Sequence, residues 1–172
     1  AMLTIEAPEG VYNSTLNTTW NASGINPAFL PFFPELADDT YATVGLTGPA
    51  SLTLDPLDQD PALLEDQYEP ISPFFLTNAV TNLQVSSFLG SSWYVLNTAS
   101  NGLAGDDLKV LVMQITSAGP LTGSVPVQIC PQGNGELELR MRFHFDGIGE
   151  FEGIILSQGF ISGCTGQDAC NC

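Results

Sequence analysis

The chain has 172 residues, 19 acidic and 3 basic, for a formal net charge of −16, yet only 13% are charged and 44% are hydrophobic. That describes one apolar-rich globular body, not a disordered acidic tail. Three cations, Lys109, Arg140 and Arg142, cannot neutralise a run of phosphates, an anionic membrane surface repels the chain, and no apolar run approaches the roughly 20 residues that span a bilayer, so nucleic acid and membrane insertion are set aside as partners.

Residues 2–6 are β-prone. A short repeat follows: Tyr12-Asn13-Ser-Thr, Leu16-Asn17-Thr-Thr and Trp20-Asn21-Ala-Ser. In an extended chain this spacing sends Tyr12, Leu16 and Trp20 to one face and Asn13, Asn17 and Asn21 to the other. Each asparagine begins an Asn-x-Ser/Thr sequon, so the repeat predicts a secreted glycoprotein with sugars held out to solvent. No signal peptide is visible at Ala1, so the sequence reads as a mature form. Residues 24–34 are rich in proline and aromatics, which fits neither helix nor central strand. Residues 1–32 therefore read as an extended arm, with Leu3, Ile5, Tyr12, Leu16 and Trp20 as its apolar contacts.

The body reads as strand after strand. Residues 40–46 are β-branched and aromatic. Residues 55–73 are acidic and proline-punctuated, a loop with one helical turn around 62–66. Strands are expected at 83–89 and 92–97, and a central buried one at 108–116. Residues 121–129 form a further strand, placed at an edge by Pro126. The clearest element is 136–146: Leu137, Leu139, Met141, Phe143 and Phe145 alternate with Glu136, Glu138, Arg140, Arg142, His144 and Asp146. One face is core and one is wet. A last strand contains Phe151, Ile154, Ile155 and Leu156. The pattern predicts an all-β fold, an antiparallel β-sandwich of immunoglobulin-like or jelly-roll-like form over residues 33–163.

Residues 164–172 are a cysteine-rich tail holding Cys164, Cys170 and Cys172; the fourth cysteine is Cys130. Four cysteines without a Cys-x-x-Cys knuckle point to disulfides rather than zinc. A Cys170–Cys172 bond would close a very small strained ring. Cys130 then pairs with Cys170 or Cys172, and Cys164 takes the other; either pairing staples the tail to the body.

Candidate chemistry is sparse. His144, the single histidine, sits beside Arg142 and Asp146 on a wet strand face, with no Gly-x-Ser-x-Gly elbow. It reads as part of a charge ladder. The pairs Asp38-Asp39, Asp106-Asp107 and Glu150/Glu152 read as solvated turn acids rather than a glycosidase pair. Asp55, Asp58 and Asp60, followed by Glu65 and Asp66, form an oxygen-rich loop that lacks EF-hand order. It is the one place where a Ca²⁺ ion is considered; no other cofactor is expected.

The pieces Tyr41-Ala-Thr-Val-Gly-Leu46, Ser92-Trp-Tyr-Val95, the turn-and-strand run over 101–111 and Leu121-Thr-Gly-Ser-Val125 resemble β-rich modules of large secreted and cell-surface proteins of algae and aquatic bacteria. The similarity covers roughly residues 33–146 and implies an extracellular structural or adhesive context without an active site. The function expected is non-enzymatic: a glycosylated subunit of a filament, fibril or coat, joined head to tail to copies of itself through the arm. The alternative is a monomeric carbohydrate-binding module that stacks glycans on Trp93, Tyr94 or Tyr68.

Overall fold

The computed structural model describes residues 3–87 and 90–158. Among these residues, nine strands and one short helix run in chain order: β1 (Leu3–Glu6), β2 (Tyr41–Ala42), β3 (Ala62–Leu64), α1 (Ser72–Leu76), β4 (Asn82–Val85), β5 (Ser92–Tyr94), β6 (Met113–Gln114), β7 (Thr122–Ile129), β8 (Leu139–Asp146) and β9 (Gly153–Gln158). A five-stranded antiparallel sheet has the order β4-β1-β7-β8-β9, and two ribbons, β2-β6 and β3-β5, complete an all-β, sandwich-like fold.

The alternating strand expected over 136–146 forms only from Leu139 to Asp146: Gly135–Leu137 is a 3₁₀ turn, which leaves Leu137 exposed and Glu138 buried, against expectation, and from Leu139 onward the alternation sets the sheet's two faces. Ile5 lies opposite Leu83 and Gly123, and Gly123 lies opposite Phe145. These residues face inward with Leu3 and Val85. Phe74 and Phe75 of α1, Trp93 of β5 and Met113 of β6 close over them, so helix and ribbons form the second layer. Phe75 meets Phe74 and Trp93 edge to face, with ring centroids 5.2 and 5.8 Å away, the arrangement that the quadrupoles of aromatic rings favour. Gly123 is required where β1, β7 and β8 meet: a Cβ there would stand 2.4 Å from the Thr4 carbonyl oxygen and 2.7 Å from the Phe145 ring.

Several expectations change. The first 32 residues, expected as an extended arm, contribute a strand and buried side chains to their own domain among the described residues. β1 is an inner strand of the main sheet, and the chain after it stays bound to the body. The Tyr12 N–H donates to the Thr116 carbonyl, the Thr40 N–H to Tyr12 and the Ala42 N–H to Trp20. The helical turn expected around 62–66 is strand β3, because pairing with β5 overrides the helix propensity of Ala-Leu-Leu. Of 108–116 only Met113–Gln114 pairs, and Leu108 is exposed with a φ of 58°. The stretch 40–46 likewise shrinks to β2. Pro126 is on β7 beyond the last residue that pairs with β1, Ser124, so β7 is inner at one end and, among the described residues, has no strand on that side at the other.

Candidate assembly site

The strand β1 is held along both edges. Leu3, Thr4, Ile5 and Glu6 pair with Val85, Gln84, Leu83 and Asn82 of β4, while Thr4, Ile5 and Glu6 pair with Ser124, Gly123 and Thr122 of β7. Leu3 and Ile5 are buried, and Ile5 has no solvent exposure. The strand continues into an exposed turn at Pro8 and Glu9. Beyond it Gly10 adopts a φ of +78°, packed so that a Cβ would lie 2.8 Å from the Ala79 Cα. Of the five apolar arm contacts read from the sequence, the fold thus uses Leu3 and Ile5 as core of their own domain. Trp20 packs partly buried against the same core, Tyr12 is half-buried, and Leu16 is exposed.

The sequon asparagines are placed opposite to expectation: Asn13, Asn17 and Asn21 are all buried. The two-face reading assumed a straight extended chain, whereas this stretch turns at 15–16, bends at 19–20 and enters a short 3₁₀ turn at Ala22–Gly24. Each amide is spent on holding the segment down. Asn13 Nδ2 donates to the carbonyls of Phe74 and Thr77 at 2.9 and 2.8 Å, and its backbone N–H donates to Asn78 Oδ1. It therefore satisfies carbonyls that the end of α1 leaves without helical partners. Asn17 Nδ2 donates to Asp39 Oδ2 at 2.6 Å. Asn21 Nδ2 donates to the Pro61 carbonyl, and Asn21 Oδ1 accepts from the Ser23 N–H and hydroxyl. A glycan is attached through the same Nδ2, so sugar on Asn13 and this packing exclude one another. Asn13→Ala should cost about 2–3 kcal/mol through the carbonyls it strands. A melting temperature lower by about 5–10 °C is expected by differential scanning calorimetry; a change under one degree would contradict the clasp.

Asp39 anchors this clasp. It is fully buried and accepts from the Ser14 N–H and from Asn17, each at 2.6 Å. Burial raises its pKa above the ordinary value, against the opposing hydrogen bonds from Asn17, Ser14 and Thr40. Its neighbour Asp38 is exposed. The two acids therefore do not act as a pair.

On the outer face of the sheet, Thr4, Ser124 and His144 share one rung across β1, β7 and β8, and Pro126 and Arg142 share the next. No hydrogen bond links Ser124 to His144 among the described residues. Thr4, Gly123, Ser124, Arg142 and His144 line a shallow cavity of about 350 Å³.

The other sequence-nominated residues are dispersed. Asp55, Asp60 and Asp66 accept backbone N–H groups in their own loops, and Glu65 accepts from the Ile71 and Ser72 N–H groups. Among the described residues no three His, Cys, Asp or Glu side chains converge as a metal site. Trp93 donates its indole N–H to the carbonyls of Thr43 and Val112 and packs on the core, so it is no free stacking platform; Tyr68 is exposed. Cys130 directly follows β7 and is not a free thiol. Cys164, Cys170 and Cys172 lie outside the described residues. No helix among the described residues is long and apolar enough to cross a membrane.

Comparison with known proteins finds no matching family model, no matching curated protein and no matching solved structure.

Proposed function

We propose that this chain is a non-enzymatic structural subunit that polymerises head to tail by exchanging β1. The observation that carries the reading is the place of β1: a strand of four residues fills an inner slot between β4 and β7. Opening the exposed turn at Pro8 and Glu9 would release the strand, and the same slot in a neighbour would offer it the same backbone partners. Exchange then conserves the ladders and the burial of Leu3 and Ile5, and a short hinge favours it. Each copy donates at one place and receives at another, so the contact is heterologous and builds an open filament.

Apolar surface supports the reading. Phe29, Phe32 and Phe33 are exposed, as are Ile154, Ile155 and Leu156 on β9, the outermost strand of the sheet among the described residues. Unpaired, apolar edges mark association surfaces in β proteins. The setting proposed is extracellular. It now rests on the four cysteines, of which Cys130 is not a free thiol, because the buried asparagines no longer argue for glycans.

The test is electron microscopy of the full chain and of a chain lacking residues 1–6. The full chain should form filaments. The shortened chain should form none, and should regain its fold when a synthetic peptide of residues 1–7 is added. Filaments from the shortened chain would overturn strand exchange.

A further inference from the structure

The chain has three basic side chains, and two of them have acidic partners. Arg140 Nε donates to the buried Glu138 carboxylate at 2.8 Å, and Lys109 lies 3.8 Å from Glu150. Arg142 forms no ion pair among the described residues, and its Nε is buried without a hydrogen-bond partner. That nitrogen is closed to water, so a partner arriving from outside would meet the guanidinium at its terminal nitrogens. The side chain borders the cavity lined by Thr4, Gly123, Ser124 and His144. That lining offers a guanidinium, an imidazole and two hydroxyls, with no large apolar side chain. A planar guanidinium fork beside hydroxyl donors matches a carboxylate.

We propose that this face of β8 receives a carboxylate side chain from a second copy of the chain and so fixes the angle between neighbouring subunits. The proposal rests on the assembly reading. Charge complementarity selects the partner. With a net charge of −16, two copies repel over most relative orientations. An orientation that sets an acid of one copy on Arg142 of the other replaces repulsion with an ion pair. Glu6 and Asp146 lie one rung further along the same outer face, on the far side of His144 from Arg142. They bound the site and discourage a carboxylate from docking off centre.

The test compares the full chain with Arg142→Gln and Arg142→Lys by sedimentation in low salt. Arg142→Gln should weaken self-association about tenfold, as expected for the loss of one charge-assisted contact, and Arg142→Lys should recover part of it. The gap between wild type and Arg142→Gln should shrink as added salt screens the ion pair. Equal association of wild type and Arg142→Gln would overturn the proposal. So would binding of a polygalacturonate probe by wild type alone with association unchanged, which would give the site to an acidic polysaccharide. Strand exchange is read separately, by adding Glu6→Cys and Thr122→Cys to each protein and following the covalent products. Weaker association with exchange intact supports the proposal. A salt-sensitive loss without any exchange would retain the carboxylate site and reject the exchange.

Discussion

Replacing Ile5 by alanine should cost about 3–4 kcal/mol of stability. Ile5 is fully buried at the centre of β1, opposite Leu83 on one side and Gly123 on the other. Gly123 has no side chain to move into the space. The Phe145 ring already covers Gly123, so the cavity left by the lost carbons cannot collapse from that side. Urea unfolding of Ile5→Ala at fixed protein concentration measures the loss. The same substitution should weaken polymerisation, since an exchanged strand would carry the same defect into its neighbour. Stability within about 0.5 kcal/mol of wild type, the scatter typical of surface sites, would mean that β1 is not core.

Replacing Asp39 by alanine should destabilise the chain by about 3 kcal/mol, because the Ser14 N–H and Asn17 Nδ2 lose their buried acceptor oxygens. The relief of a desolvated carboxylate offsets part of that loss. Its pH dependence identifies the cause. The unfolded chain ionises Asp39 at its ordinary pKa of 3.8, whereas burial raises the folded value. The folded state therefore holds the proton to higher pH. The ionisation-linked stability is fully present below about pH 3.8 and is lost as pH rises through the folded pKa. The advantage of wild type over Asp39→Ala should be largest in acid and should fall with rising pH to a plateau. Glu69 has the opposite sign: N–H groups of Ser87 and Ser86 lower its pKa, so its contribution fades as pH falls. Both proteins carry Glu69, and the comparison cancels it. A wild-type advantage that grew with pH would contradict the buried-carboxylate account.

How far the fold can be read from sequence depends on where each signal resides. The alternation from Leu139 to Asp146 is local, and β8 emerges with its inner and outer faces as expected. β7 and β9 follow as its neighbours, and the all-β antiparallel class follows from them. The two ribbons and α1 are decided elsewhere. Ala62–Leu64 has helix-forming residues and becomes a strand only because Ser92–Tyr94 lies beside it. Ser72–Leu76 opens with Ser-Pro and then presents Phe-Phe. Proline suits a first turn, and burial of both rings against β1 and β4 holds the helix.

The assembly site was legible in part. Leu3 and Ile5 show β-prone alternation, but nothing local tells that β4 and β7, distant in sequence, flank them. The asparagine repeat was legible as a repeat and misleading in direction. Its burial depends on the carbonyls of Phe74, Thr77 and Pro61 and on the carboxylate of Asp39, and no spacing rule reveals remote acceptors. Arg142 was visible as one of few cations. That Arg140, two residues from Glu138, takes that acid while Arg142 makes no ion pair among the described residues is seen only in the structure.

The negative charge takes on a more particular role with these partners in view. On the proposed reading, acids on loops and exposed turns would keep copies apart, and the exchange of β1 and the Arg142 face would select one mode of approach. The most direct measurement uses the register of β1 against β7. Glu6 and Thr122 are paired on the outer face, so Glu6→Cys with Thr122→Cys places two thiols side by side without entering the core. Polymerised protein is oxidised and run on a denaturing gel beside wild type. Exchange of β1 between copies should give a ladder of covalent multimers absent from wild type. A single monomer band with the engineered disulfide closed would contradict it, since it would show each β1 seated in its own chain.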